Sequence, residues 1–270
     1  MDRRSFVAAL SAVPFAARLD SDSFLDRPGV QLYTVREAMA EDADRTLAVL
    51  AEIGYREVEL AGTYGMTPAA FRRRLDDSGL RAVSGHIDFT QVRDDWQRTL
   101  DAAAELGHEL IVLPFLPEDV RTGDGYLAVA EDFNRAGEAA QRMGLRFGYH
   151  NHAFEFEVTD GVVPMAVLLD ETDPTTVDWQ MDVFWTVDGG QSPLTWLDRY
   201  ADRVTSVHIK DRTAGGTMVD VGDGVIDFGR ILAAAEDQGL RYGFIEHDFP
   251  GDPITSVRRS FEYMTRGVSP

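Results

Sequence analysis

The stretch Gly144-Leu-Arg-Phe-Gly-Tyr-His-Asn-His152 decides how this chain folds. A glycine ends an amphipathic segment, one residue follows, and an arginine opens a short apolar run that closes on titratable side chains. Glycine adopts the left-handed conformation that stops a helix, so the spacing predicts a helix before it and a strand after it. The same punctuation recurs at Gly54-Tyr-Arg, Gly79-Leu-Arg, Gly107-His-Glu and Gly239-Leu-Arg. Working outward gives candidate strands at 30–34, 57–61, 82–86, 110–115, 146–151, 177–183, 204–210 and 242–247, with amphipathic segments such as 45–53, 96–106 and 126–143 between them. Eight strands alternating with helices predict parallel βα units. With no linker or composition break, they close most simply into one α/β domain, a (β/α)8 barrel over 27–270. A doubly wound open sheet is the alternative, but no Gly-x-Gly-x-x-Gly follows the first strand.

Composition narrows the partners. A net charge of -20 disfavours nucleic acid, whose binding needs clustered Lys and Arg. An acidic, lysine-poor chain is also what a salt-adapted, halophilic surface looks like, because strong salt screens carboxylate repulsion. Without cysteine there is no disulfide, no thiolate nucleophile and no thiolate metal ligand. Residues 1–26 read as a leader: paired Arg3 and Arg4, Phe6 and the apolar run 7–17 are like a twin-arginine export signal. The expectation is export by that route or, if the segment is a docking helix, a cytoplasmic protein. The apolar run is shorter than the roughly 20 residues a membrane span needs, so no membrane partner is expected.

Lys210 is the only lysine, and the other 25 positive side chains are arginines. It lies in Val-His-Ile-Lys-Asp, 207–211, where strand alternation puts His208 and Lys210 on one face. A lysine beside a histidine at a strand end suits charge stabilisation or proton transfer. Barrel enzymes build their sites at the C-terminal mouth, and five of the six histidines, His86, His150, His152, His208 and His247, fall at or next to such ends. Glu59, Asp182, Asp211 and Glu246 join them. Imidazole and carboxylate donors from separate strands suit a hard or borderline divalent ion such as Mn, Mg, Co or Zn.

Several motifs carry a family resemblance: Glu-Leu-Ala-Gly (59–62), Tyr-His-Asn-His (149–152), Met-Asp-Val-Phe-Trp (181–185), His-Ile-Lys-Asp (208–211), Glu-His-Asp (246–248) and Gly-Val-Gln-Leu-Tyr-Thr-Val-Arg (29–36). Together they resemble the xylose isomerase-like TIM barrels, in particular the sugar phosphate isomerase/epimerase branch related to keto-sugar 3-epimerases and inosose dehydratases. The resemblance implies a divalent metal held by His150, Asp182, His208 and Glu246, at separations of 32, 26 and 38 residues that suit successive βα units. It also implies a small-molecule sugar substrate and a homo-oligomer. His150 departs from the pattern by standing where the family has a glutamate, so the paired-glutamate proton shuttle does not carry over. Glu155 or Glu157 could reach back from the loop, or His152 could be the acid or base; a hydrogen-bonded strand end without metal is the alternative for both histidines.

The chemistry expected is proton transfer next to a carbonyl through a metal-bound enediolate. Glu246 or His152 serves as base and Lys210 stabilises the oxyanion, while Glu59, His86, Asn151 and Trp185 bind substrate. Trp179, Phe184, Phe115 and Phe154 are further aromatics near the mouth, each with a packing role as its alternative, and 215–227 reads as a loop or hairpin over it. Sugar isomerisation or epimerisation leads, with a lyase or dehydratase on a keto-sugar or keto-glycoside, or a non-catalytic sugar or polyol binder, as the alternatives. A nuclease like endonuclease IV would need a basic groove.

Overall fold

The computed structural model describes residues 27–267. The leader expected at 1–26 therefore lies outside the described residues. Eight parallel strands close a barrel: β1 (Gly29–Gln31), β2 (Glu57–Leu60), β3 (Arg81–His86), β4 (Leu110–Leu113), β5 (Arg146–His150), β6 (Val177–Asp182), β7 (Val204–Ile209) and β10 (Tyr242–Ile245). Two short strands, β8 (Asp211–Arg212) and β9 (Met218–Val219), pair as an antiparallel hairpin just after β7. All eight expected barrel strands are present. Most end a residue or two earlier than the apolar pattern does, because the chain turns into loop as soon as its side chains reach the mouth.

The helices start and stop for local reasons. Side-chain oxygens of Asp42, Thr67, Thr122, Ser192 and Asp252 accept from backbone N–H groups of the first helical turn, and Pro68, Pro193 and Pro253 take first-turn positions. The glycines of the repeated motif do stop the helices: Gly107 sits at φ 84° and Gly144 at φ 75°. Every residue of β6 and β7 is buried, as expected for parallel strands covered on both faces.

Between β2 and β3 the register slips by one residue, from Val58 opposite Ala82 to Glu59 opposite Ser84, leaving Val83 as a bulge. Val83 packs with Tyr242 and Phe244 in a small buried apolar cluster. Alternation along β10 puts Phe244 one layer below Glu246, so this cluster underlies a polar layer.

Candidate active site

Five barrel strands contribute that polar layer. Glu59, on β2, is fully buried: Gln31 Nε2 (2.9 Å) and His208 Nε2 (2.5 Å) reach its Oε1, and Ser84 Oγ (2.6 Å) and Gln180 Nε2 (2.8 Å) donate to its Oε2. Burial pushes its carboxyl up, but the charges of His86 and His208 and their hydrogen bonds outweigh it, so the group lies well below the usual carboxylate range. His208 uses both ring nitrogens, because Nδ1 also meets Glu246 Oε2 at 2.5 Å. Burial alone would lower its pKa, yet Glu246 and Glu59 lift it to about 10.

Lys210 is buried at the centre. Its Nζ lies 3.0 Å from Asp182 Oδ2, 2.8 Å from Glu246 Oε2 and 2.8 Å from Asp248 Oδ1. Burial works against the ammonium, but these three carboxylates hold its pKa well above the ordinary lysine value. The Asp182 contact is an ion pair without hydrogen-bond alignment, since Asp182 Oδ2 is buried and accepts no hydrogen bond. Burial accordingly raises the Asp182 pKa to about 6 despite Lys210 and His208. Glu246 goes the other way: burial raises it, and Lys210 and His208 together pull it well below the ordinary value.

Gln180 joins the histidines to this layer. Its Oε1 lies 3.0 Å from His86 Nε2 and 3.1 Å from His150 Nδ1. If His150 Nδ1 donates there, Nε2 carries the lone pair, 3.6 Å from Asp182 Oδ2. Burial, followed by the charges of His208, His152, His86 and Lys210, keeps the His150 imidazole neutral. His152 sits between two aromatics, stacked on Phe154 (5.9 Å, 15°) and tilted against Trp185 (5.5 Å). Burial and then Lys210 lower its pKa to about 3, and its Nδ1 is buried without a partner.

Above this layer opens a cavity of about 520 Å³, whose lining includes His86, His150, His152, Trp185, Lys210 and Glu246. The structure thus gathers most of the residues expected from the sequence, with two corrections. Glu59 does not line the cavity; its oxygens are occupied below it, so it holds His208 rather than substrate. Asn151 is also buried away from the lining: its Oδ1 accepts from Trp179 Nε1 (2.8 Å) and Asp182 N (3.0 Å), which fixes the end of β6. Glu155 does not reach back into the site. It is buried, accepting from the Tyr149 hydroxyl and from His152 N (2.8 Å), whereas Glu157 is exposed. Trp179 and Phe184 are core residues. Gln180 and Asp248 had been given no role. A glutamine one residue before a metal-type motif and an aspartate two after a strand-end glutamate were the only signals available.

The donor set fits a divalent cation. Ligand atoms of Asp182, His208 and Glu246 lie within 4.8 Å of one another, as do those of His86, His150 and His208. Four carboxyl groups, Glu59, Asp182, Glu246 and Asp248, surround two cationic side chains, and Asp182 Oδ2 is an orphaned buried acceptor. A Glu59-bound Nε2–H is also how a carboxylate orients a metal-binding histidine through its second nitrogen.

A closed βα barrel with titratable side chains gathered at its C-terminal mouth has the architecture of a barrel enzyme. The family model for the xylose isomerase-like TIM barrel matches residues 47–266, and the chain belongs to that family. Inosose dehydratase of Geobacillus kaustophilus is 27% identical over 272 residues, covering 83% of this chain and 87% of the relative. A solved sugar phosphate isomerase/epimerase from Parabacteroides distasonis superimposes with a TM-score of 0.81 at 28% identity, covering 96% of this chain and all of that one. The 3-keto-D-glucoside 4-epimerase of E. coli shares the fold at a TM-score of 0.65 and 17% identity, over 84% of this chain and 95% of its own.

Proposed function

We propose that this barrel is a lyase that dehydrates a cyclic keto-sugar or keto-polyol. The observation that carries the reading is the neutral His152 imidazole in the cavity wall, beside a buried Lys210 ammonium held by Asp182, Glu246 and Asp248. His152 takes the proton from the carbon next to the carbonyl, its basicity rising as the negative charge that develops beside Lys210 offsets the ammonium that suppresses it. The freed pair forms the carbon–carbon double bond, the β carbon–oxygen bond breaks, and the proton on His152 leaves with the departing hydroxyl as water. Lys210 stabilises negative charge growing on the carbonyl oxygen. Glu246, held ionised by Lys210 and His208, is better placed to anchor those cations than to act as an acid. His86 and Trp185 bind the ring. His150, Asp182, His208 and Glu246 would hold a divalent ion, which would polarise the carbonyl as a Lewis acid.

The name of the Geobacillus relative supports dehydration over the isomerisation that the motifs first favoured. The Parabacteroides neighbour keeps isomerase or epimerase chemistry as the second reading, because both reactions begin with the same proton removal. Incubation with inosose in deuterated buffer separates them by mass spectrometry. Dehydration removes one water from the substrate, and His152→Ala and Lys210→Met abolish that loss. Deuterium incorporation with no loss of water would overturn the lyase reading in favour of the second.

A further inference from the structure

We propose that the outer half of the cavity is a subsite for a flat, uncharged ring attached to the sugar, and that the cavity selects against phosphorylated sugars. The proposal rests on the reading that the inner half takes a sugar. Three carboxylates, Asp88, Glu246 and Asp248, line the cavity against one cation, Lys210. That ammonium is 2% exposed and lies within 3.0 Å of three carboxylate oxygens, so the side chains give the cavity a net negative lining. Lys210 and a divalent ion at the inner end would serve the carbonyl oxygen, and the outer half holds no positive side chain for a phosphate. Arg36 and Arg121 lie against rim aromatics. Arg36 lies 4.1 Å over the Tyr33 ring and donates to Tyr33 O and Asp248 O, and Arg121 lies 4.4 Å over Phe115 and donates to Leu116 O. Neither lines the cavity.

The rim offers the opposite chemistry. Phe249 is 75% exposed, Phe115 48% and Tyr33 41%, and all three line the cavity together with Trp185. Large apolar groups left in water at a cavity mouth mark a surface made to be covered. Phe249 is also fixed at its backbone. Its N–H donates to His247 Nδ1 (3.1 Å), and the preceding Asp248 is held by Lys210 through its side chain and by Arg36 through its carbonyl. The backbone that carries the ring is thus fixed, so covering the ring has only its two side-chain torsions to order. A cavity of about 520 Å³ falls within the roughly 300–1,000 Å³ that takes a drug-sized ligand, which leaves room for more than a single sugar ring.

Calorimetric titration of the full chain with methyl β-glucoside, phenyl β-glucoside and glucose 6-phosphate tests this without turnover. Phenyl glucoside is expected to bind about tenfold tighter than methyl glucoside, the upper end for one aromatic pair. Phe249→Ala should remove most of that gain, and glucose 6-phosphate should bind at least tenfold more weakly than methyl glucoside. Equal affinity for the two glucosides, tightest binding of the phosphate, or no binding of any of the three overturns the subsite. So does a change in the sedimenting mass of the free protein on Phe249→Ala, since the rim would then be covered by a second copy. Absence of inosose dehydration with the phenyl preference intact would defeat the lyase reading alone; dehydration without that preference would defeat only the subsite.

Discussion

Lys210 and His208 are held by four carboxylates from three different strands or strand ends, so each removal should have a distinct signature. Asp182→Ala and His208→Ala delete candidate ligands and are expected to abolish bound divalent ion, read by elemental analysis of protein purified without chelator. Lys210→Met leaves the donors in place and should retain the ion while losing turnover; a fully active Lys210→Met would remove Lys210 from the mechanism. Glu59→Gln keeps the shape but weakens the hold on His208 Nε2, and outer partners of this kind alter metal affinity by about 10–100-fold. An unchanged affinity would reduce Glu59 to a packing role. The sequence made the strand-end residues legible because parallel alternation and helix-stopping glycines place them at one mouth. It could not show that Glu59 faces down, since its partners Gln31, Ser84, Gln180 and His208 are 28, 25, 121 and 149 residues away. Only the slipped register at Val83 and closure of the barrel bring them together.

Among the elements, the turn after β5 and the β8–β9 hairpin carry features that periodicity does not encode. Glu155 anchors the first of these through Tyr149 and the His152 amide, and burial raises its pKa to about 7 despite those hydrogen bonds. The unfolded carboxyl titrates near 4.3, so between these values the folded state binds more protons and stability falls as pH rises. Urea midpoints between pH 5 and 8 should show that decline, and Glu155→Gln, which cannot ionise, should flatten it; an unaltered slope would mean that other groups cause it. In the hairpin, Asp211 accepts from Arg212 N (2.8 Å), Ile226 N (3.2 Å), Gly222 N (3.0 Å) and Gly224 N (3.0 Å). The stretch 215–227 reads from sequence as a loop or hairpin, and this one carboxylate fastens most of it. Asp211→Ala strips four amides of a charged acceptor and should cost about 3 kcal/mol, the upper end for hydrogen bonds to a charged group, measured as a lower urea midpoint. Gly224→Ala should behave similarly, because an added Cβ would fall 2.1 Å from Asp211 Oδ1 and 2.4 Å from Arg212 O.

The whole molecule combines a barrel that its sequence announces with a surface charge that the barrel does not require. The alternation was readable because each helix carries its own stop and each strand its own apolar run, and both are local signals. The net charge of -20 bears instead on the medium in which the fold is stable. Two effects of salt oppose each other. Exposed ion pairs such as Arg259–Asp223 and Arg72–Asp76 weaken as salt rises, but each contributes only about 0–1 kcal/mol. The excess carboxylates repel one another in the folded state more than in the expanded chain, and that repulsion is screened once the Debye length drops from about 10 Å at 0.1 M to about 3 Å at 1 M. With 46 acidic against 26 basic residues, relief of repulsion should dominate. Melting temperature is therefore expected to rise between 0.1 M and 1 M potassium chloride, by about 2 °C for each kcal/mol gained in a chain of 270 residues. Chloride is the salt of choice, because sulfate strengthens apolar burial in any protein and would raise the curve whatever the charge. A melting temperature that stays flat or falls in chloride would mean that the ion pairs outweigh the excess charge, and the salt-adapted reading of the surface would fail.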